Sequence, residues 1–235
     1  MNNILTQGAE KLNILLTEPQ LAAFRTYYEM LEARNSVMNL TSISGEKEVA
    51  ELHFLDSLAL FGAYNFKEKK LIDIGSGAGF PGLPLKIAEP SISLTLLDAQ
   101  QKRVAFMGEL CEQIGLADVV CLHARAEEAV ASPEVREVFD AAVSRAVARL
   151  NVLCELCMPF VTVGGVFIAM KGTDSHDEIS EAAQAIEILG GTLEKSWDYE
   201  IPGTDIIHRA VIIRKTADTA ARYPRRFAKI SKEPL

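Results

Sequence analysis

The chain has 235 residues, 49% of them hydrophobic and 24% charged, which is the composition of an ordinary globular enzyme. This length favours one sizeable α/β core with an appendage over two full domains. No apolar run approaches the roughly 20 residues that cross a bilayer, and the first residues lack a signal peptide's basic head and apolar core, so we expect a cytoplasmic protein without membrane contact.

The net charge of −8 is unevenly distributed along the chain. Residues 209–235 contain eight Lys or Arg and two acidic residues, whereas the first 208 residues contain 16 basic and 30 acidic ones. This division predicts a positive surface that binds a polyanion. The alternative is a solvated basic tail that has no partner.

Residues 1–70 predict a helical extension. Thr17 and Pro19 are typical of a helix start. Apolar residues then recur on one helical face, at Leu21, Phe24, Tyr28 and Leu31. A second helix is expected at about residues 46–60.

From residue 71 onwards, predicted strands alternate with predicted helices. The strands are expected at 71–74, 94–98, 119–122, 139–144 and 166–170. The helices are expected near 81–88, 102–114, shortly after 125, 150–159 and 177–189. Such alternation builds a mostly parallel, twisted sheet that is covered on both faces. Segments 193–201 and 210–214 should close the sheet as an antiparallel hairpin, so residues 71–235, including the basic tail 209–235, form one domain that is compact with the extension.

A glycine-rich turn follows the first predicted strand. Its glycines are Gly75, Gly77, Gly79 and Gly82. Closely spaced glycines between a strand and a helix let the backbone approach a ligand where a Cβ would collide, which indicates a nucleotide-like cofactor. The spacing also fits a dinucleotide fingerprint, with Asp98 as the ribose-binding acid. Asp73, an acid inside the strand, favours a different class, because Asp-x-Gly-x-Gly-x-Gly looks like motif I of the S-adenosylmethionine (SAM) methyltransferases.

The cysteines do not indicate a metal site. Cys154-x-x-Cys157 fits a redox or zinc half-site, but no second pair or histidine partner follows it. The surrounding segment is predicted to be a buried helix. We therefore expect reduced thiols in the core and no metal.

Ligands of open α/β sheets bind beyond the carboxyl ends of the strands, and the residues expected there are mostly cationic. They are Lys102 and Arg103, Arg125, Arg145, and Lys171. Most of them also fit solvated helix or strand ends. Arg145 does not, because it ends an otherwise apolar strand, where an arginine is rarely buried without a functional partner. This rim predicts an anionic second substrate.

Together these residues closely resemble one family, the RsmG (GidB) enzymes, bacterial methyltransferases that act on guanine N7 in small-subunit ribosomal RNA. The similarity extends from about residue 39 to the C-terminus. Its most specific parts are Asp-Ile-Gly-Ser-Gly-Ala-Gly-Phe-Pro-Gly at 73–82, Ser-Arg-Ala at 144–146 and Tyr-Pro-Arg-Arg at 223–226. The resemblance implies a Rossmann-like SAM-dependent methyltransferase fold, SAM as cofactor, and 16S ribosomal RNA, naked or within the small subunit, as partner.

The resemblance also implies individual roles. The methionine end of SAM is expected at Gly75, Gly77, Gly79 and Phe80, its ribose at Asp98, its adenine at Ala126 and Glu127, with Asp73, Ala99 and Gln100 also in the cofactor site. Ala99 departs from the serine that is usual there, which concerns only one side-chain hydrogen bond.

Arg145 is expected to be the catalytic residue that bridges cofactor and base. The RNA-facing residues are expected to be Lys102, Arg103, Arg125, Lys171, Arg209, Arg225 and Arg226. Asn39, His53 and Asp56 are candidates for lining the site, although His53 and Asp56 also fit an ordinary helix-surface pair.

The expected chemistry needs no general base. Guanine N7 has an in-plane lone pair and carries no proton, so catalysis can consist mainly of orientation. The chain has no Asn/Asp-Pro-Pro-aromatic motif at the fourth strand, which methylation of an exocyclic amine would favour. It also has no cysteine where a cytosine-C5 nucleophile is expected.

Two other functions remain open from the sequence. The first is a SAM-dependent methyltransferase that acts on a small anionic substrate, for which a closed pocket would serve better than a cationic tail. The second is a nucleic-acid-binding module that has kept the cofactor fold without its activity.

Overall fold

The computed structural model describes residues 1–235 and contains seven strands. They are β1 (Lys70–Ile74), β2 (Ser93–Asp98), β3 (Val119–His123), β4 (Phe139–Arg145), β5 (Val161–Gly172), β6 (Gly191–Glu200) and β7 (Ile207–Lys215). They form one sheet in the order β3-β2-β1-β4-β5-β7-β6. Strands β1 to β5 run parallel, and β7 lies antiparallel between β5 and β6. The predicted fold class, a mostly parallel sheet closed by a C-terminal hairpin, is confirmed.

Eleven α-helices surround or extend this sheet. They are α1 (Asn2–Lys11), α2 (Glu18–Met38), α3 (Glu46–Val49), α4 (Asp56–Leu58), α5 (Gly82–Ala88), α6 (Gln101–Gln113), α7 (Ala126–Ala129), α8 (Leu150–Cys157), α9 (His176–Glu181), α10 (Ala183–Ile188) and α11 (Phe227–Lys232). A π-helical turn, Ala50–Leu55, joins α3 to α4.

The N-terminal helices pack on one face of the sheet. Phe24, Tyr27 and Phe54 are fully buried there, in a core that continues into the sheet. The hydroxyl of Tyr27 donates a 2.6 Å hydrogen bond to the carbonyl of Ala78 in the glycine-rich turn. The extension therefore supports the turn directly, and a second core fills the opposite face of the sheet.

Three helical features differ from the sequence-based expectation. Helices α1 and α11 have no counterpart in the predicted elements. The predicted helix 177–189 is interrupted at Ala182, where α9 ends and α10 begins. The local signals for α1 are weak, because it has no side-chain cap and contains Gly8. A Cβ at Gly8 would lie 2.2 Å from Leu55, so packing selects this glycine.

All four cysteines are free thiols, and Cys154 and Cys157 are fully buried in α8. Burial raises the pKa of both thiols. No three His, Cys, Asp or Glu side chains are grouped so that they could hold a metal ion. No helix combines the length and apolar character that a membrane crossing requires.

Candidate active site

A cleft of about 780 Å³ opens at the carboxyl ends of β1, β2, β4 and β5. This volume is within the range of small-molecule sites, about 300–1,000 Å³. Its walls include Gly75, Gly77 and Phe80 from the glycine-rich turn, Asp98, Ala99, Gln100 and Arg103 after β2, Arg145 after β4, and Lys171 at the end of β5. His53 and Asp56 also lie on its wall. The cleft therefore brings together about half of the residues expected from the sequence.

Hydrogen bonds connect the glycine-rich turn to Asp98. The carboxylate of Asp98 accepts hydrogen bonds from the backbone N–H groups of Gly77 at 3.0 Å and Gln100 at 2.8 Å. Arg103 lies 3.6 Å from the same carboxylate. Because a carboxylate offers about four lone-pair sites, Asp98 retains capacity for further donors such as hydroxyls.

Gly77 faces the cleft. Its φ of +61° is a conformation that L side chains rarely adopt. The nearest protein atom to a Cβ built there is the Gly75 oxygen, at 3.9 Å. The space in front of Gly77 is thus open and lies within reach of a ligand.

Asp73 lies beneath the turn and does not line the cleft. It is fully buried, and its Oδ2 accepts a 2.8 Å hydrogen bond from the N–H of Gly82. Burial raises the pKa of its carboxyl to about 7. The structure therefore gives Asp73 a supporting contact to the start of α5, in place of the direct cofactor contact that the sequence suggested. Gly79 is also buried, against Leu83 and Tyr27.

Arg145 is held by a network of side chains from the N-terminal extension. Its Nη1 donates to Asp56 Oδ2 at 3.0 Å and to the Leu52 carbonyl at 3.2 Å. Its Nη2 lies 2.9 Å from Nδ1 of His53, and its guanidinium stacks over Phe80, 4.9 Å from the ring centroid. Since Leu52 and His53 belong to the π-helical turn, the irregular helix places these acceptors around the arginine.

Asp56 accepts hydrogen bonds from residues of three strands that are distant in sequence. Besides Arg145, the hydroxyl of Tyr199 donates to it at 2.8 Å and His208 Nδ1 lies 2.9 Å away. Burial alone would raise the pKa of Asp56, but the hydrogen bond from His208 and the charge of Arg145 hold it below its usual value. Tyr199 and His208 were not among the residues predicted for the site, and the pairing of β6 with β7 places them opposite each other.

His53 is neutral in this site. Burial and the neighbouring Arg145 lower the pKa of His53 from 6.5 to about 3. Its ring stacks on Phe80 with centroids 4.3 Å apart, and its Nε2 lies 2.8 Å from Thr41 Oγ1. His53 and Asp56 are therefore buried components of the cleft wall and not an exposed helix-surface pair.

The low pKa of His53 predicts a loss of stability in mild acid. His53 binds protons more weakly in the folded state than in the unfolded state. Its contribution to the free energy of unfolding is therefore fully present above pH 6.5 and is lost as the pH falls towards 3. Between pH 7.5 and 5, the free energy of unfolding should fall about 2 kcal/mol more for the wild type than for a His53→Gln variant, which cannot titrate. Urea unfolding at both pH values measures this difference. Equal losses in the two proteins would contradict the assignment.

Several of the predicted RNA-facing cations are bound within the protein. Lys171 Nζ donates to the Ala148 carbonyl and to Glu178, each at 2.6 Å. Arg209 is buried and makes a two-pronged contact with Asp198, at 2.6 and 2.8 Å. Lys102 and Arg125 are exposed outside the cleft, as is Asn39. Ala126 and Glu127 also lie outside its walls, and Glu127 pairs with Arg125 at 2.6 Å.

The basic tail is docked on the domain. Arg225 Nη2 lies 2.6 Å from Oε2 of Glu155, whose side chain is fully buried in α8. Arg226 forms no ion pair and is exposed. Phe227 is partly exposed and stacks against the guanidinium of Arg125 at 4.7 Å. The two neighbouring arginines therefore differ, with Arg225 holding the tail and Arg226 facing solvent.

This difference predicts that two alanine variants affect different properties, protein stability in one case and RNA binding in the other. Arg225→Ala leaves the buried Glu155 carboxylate without its cation and should lower the free energy of unfolding by about 3 kcal/mol. Arg226→Ala should change stability by less than about 0.5 kcal/mol, but should flatten the dependence of log RNA affinity on log salt by roughly 0.7. Urea unfolding and salt-dependent binding test both. An Arg226→Ala protein with the wild-type salt slope would remove Arg226 from the phosphate contacts.

The solved structures that this chain resembles include methyltransferases. It superimposes on a SAM-dependent methyltransferase from Aquifex aeolicus with a TM-score of 0.53 and 16% identity, covering 72% of this chain and 93% of the other. For M. jannaschii TYW2 in complex with AdoMet the TM-score is 0.54 with 14% identity, over 73% and 83% of the two chains. At these identities the likeness concerns the fold. Together with the glycine turn and acid at the sheet's carboxyl edge, it shows the Rossmann-like fold of the SAM-dependent methyltransferases.

Sequence comparisons identify the family. Residues 20–199 match the family model GidB, described as rRNA small subunit methyltransferase G. A relative named Ribosomal RNA small subunit methyltransferase G from Alkaliphilus oremlandii is 47% identical, over 100% of this chain and 99% of the relative. A relative of the same name from Acetivibrio thermocellus is 42% identical, over 100% and 97%. The chain belongs to the GidB family of rRNA small subunit methyltransferases.

Proposed function

We propose that this enzyme transfers a methyl group from SAM to N7 of one guanine in small-subunit (16S) ribosomal RNA. The observation that carries the proposal is the arrangement around Arg145. The Arg145 guanidinium is held at the cofactor cleft. The two proton acceptors beside it, His53 and Asp56, already accept hydrogen bonds from other protein groups. Such a site orients a substrate well and removes a proton poorly.

The residues present fit SAM. The open space at Gly77 and the remaining acceptor capacity of Asp98 suit the methionine end and the ribose hydroxyls respectively. When bound, SAM supplies an electrophilic methyl group on a sulfonium. Gly75, Phe80, Ala99 and Gln100 complete the proposed cofactor wall. Ala126 and Glu127, outside the cleft wall, are retained as a proposed adenine contact on the basis of the family resemblance alone.

Orientation is the main catalytic contribution that we assign to this chain. N7 needs no base, so neither His53 nor Asp56 has to accept a proton. Arg145 donates three hydrogen bonds within the protein, which leaves its Nε–H and one Nη2–H for a ligand. We assign these donors to the cofactor and the target base, which they hold in line for transfer.

The proposed RNA contacts lie on the cleft wall and on the surface outside it. Arg103 lies on its wall, whereas Lys102, Arg125 and Arg226 are exposed nearby or on the tail. Arg209, Arg225 and Lys171 can still contribute positive potential, although their hydrogen bonds are directed inward.

Transfer of labelled methyl groups from SAM tests the function. We expect label in small-subunit RNA, added naked or within assembled subunits, and none in free nucleotides or small anionic metabolites. Chemical strand scission at N7-methylguanine then locates the modified base. Label confined to metabolites would favour the small-substrate methyltransferase, and cofactor binding without transfer would favour a binding module.

A further inference from the structure

Towards the cleft, the hydroxyl of Thr41 can act only as a hydrogen-bond donor. Thr41 lies in the loop between α2 and α3 and lines the cleft together with Arg145 and Asp98. Its Oγ1 lies 2.8 Å from Nε2 of His53 and accepts a 3.0 Å hydrogen bond from the N–H of Ile43. The direction of the first of these bonds decides what the hydroxyl offers to the cleft.

Arg145 determines that direction. A guanidinium only donates hydrogen bonds and stays protonated, so Nδ1 of His53, 2.9 Å from Arg145 Nη2, must present its lone pair. A neutral imidazole with an acceptor at Nδ1 carries its hydrogen on Nε2. His53 therefore donates to Thr41 Oγ1.

Both lone pairs of the Thr41 hydroxyl are then occupied, one by His53 and one by the N–H of Ile43. Its proton is not used in any hydrogen bond within the protein. The side chain is half-buried on the cleft wall, so this donor is available to a bound molecule.

We propose that Thr41 donates a hydrogen bond to O6 of the target guanine and thereby selects guanine over adenine. This inference rests on the proposed function. Guanine presents two acceptors, N7 and O6, on one edge, whereas adenine presents N7 beside an amino donor. A hydroxyl that can only donate pairs with O6 and opposes the adenine amino group, which would leave two donors facing each other. His53 acts as a positioning residue, because it holds the hydroxyl in this role.

A double-mutant-type cycle, in which the Thr41 hydroxyl and the guanine O6 are removed separately and together, tests the inference. Single-turnover rates are measured on small-subunit RNA that carries either guanine or 2-aminopurine at the mapped position, since 2-aminopurine keeps N7 and lacks O6. The Thr41→Val enzyme should methylate guanine about tenfold more slowly than the wild type, with less than about twofold change on 2-aminopurine. The intrinsic difference in N7 reactivity between the two purines cancels in this comparison.

Two control variants separate recognition from local structure. Thr41→Ser keeps the hydroxyl and should keep the wild-type ratio of guanine to 2-aminopurine rates. Thr204→Val removes a similar hydroxyl, which accepts from the N–H of Ile206 at 3.0 Å outside the cleft, and should leave both rates unchanged. SAM affinity measured by calorimetry shows that each variant is folded.

The outcomes are distinguishable. A Thr41→Val enzyme that slows equally on both purines, or on neither, overturns the assignment of Thr41 while the proposed function stands. A wild-type enzyme that methylates no guanine in this RNA overturns the proposed function, and the inference fails with it.

Discussion

A Gly77→Val enzyme is expected to lose SAM affinity by more than roughly 100-fold while keeping its fold. The backbone at Gly77 has a φ of +61°, and apart from its two chain neighbours the nearest protein atom to the position that a Cβ would take is the Gly75 oxygen, at 3.9 Å. A branched side chain there would occupy the open cleft in front of the turn. Calorimetric titration with SAM measures the loss.

The matched control is Gly115→Val. Gly115 has nearly the same backbone conformation, with a φ of +67°, and nothing lies within 4 Å of its Cβ position. It is not on the cleft wall, so the variant carries a similar backbone strain without the steric conflict. If both variants bind SAM like the wild type, the cofactor does not approach Gly77. If both lose binding equally, backbone strain is the cause.

Replacing Arg145 with lysine should lower kcat by roughly 100-fold, while the affinities for SAM and RNA change by less than about threefold. Lysine keeps a positive charge beside the buried Asp56 carboxylate, which limits the loss of stability. Its single ammonium cannot reproduce the planar fork that contacts Leu52, His53 and Asp56 together. Orientation is realised in the transition state, so the loss should appear in turnover.

Arg149→Lys is the control for this substitution. Arg149 follows the same strand, but its side chain is 61% exposed and pairs with Glu181 outside the cleft. Its turnover should match the wild type. A folded Arg145→Lys enzyme with full turnover would remove Arg145 from the mechanism, and one with weakened RNA binding alone would make it a binding residue.

The alternation of apolar strands and amphipathic helices made the fold class predictable from the sequence, because a strand that is buried on both faces consists of a short run of apolar residues. Segment 71–74 and the glycines after it also predicted where the cleft opens, since the requirement for residues without a Cβ is local. Asp98 was expected at the same edge because it directly ends the second strand, and it lies on the cleft wall.

The helical boundaries depended partly on packing. Helix α1 has no capping side chain, and its Gly8 is explained only by contact with Leu55. The π-helical turn that carries His53 also has no local signature, although it places Leu52 and His53 around Arg145.

The partners of the charged residues were decided only by the tertiary structure. The sequence indicated a basic C-terminal tail correctly, but Arg225 and Glu155 are 70 residues apart, and Asp56 meets Tyr199 and His208 across 143 and 152 residues. Composition and spacing report how many charges a segment has. Whether a charge faces solvent or a buried counter-ion depends on which strands and helices become neighbours, because desolvation and hydrogen bonding act through space.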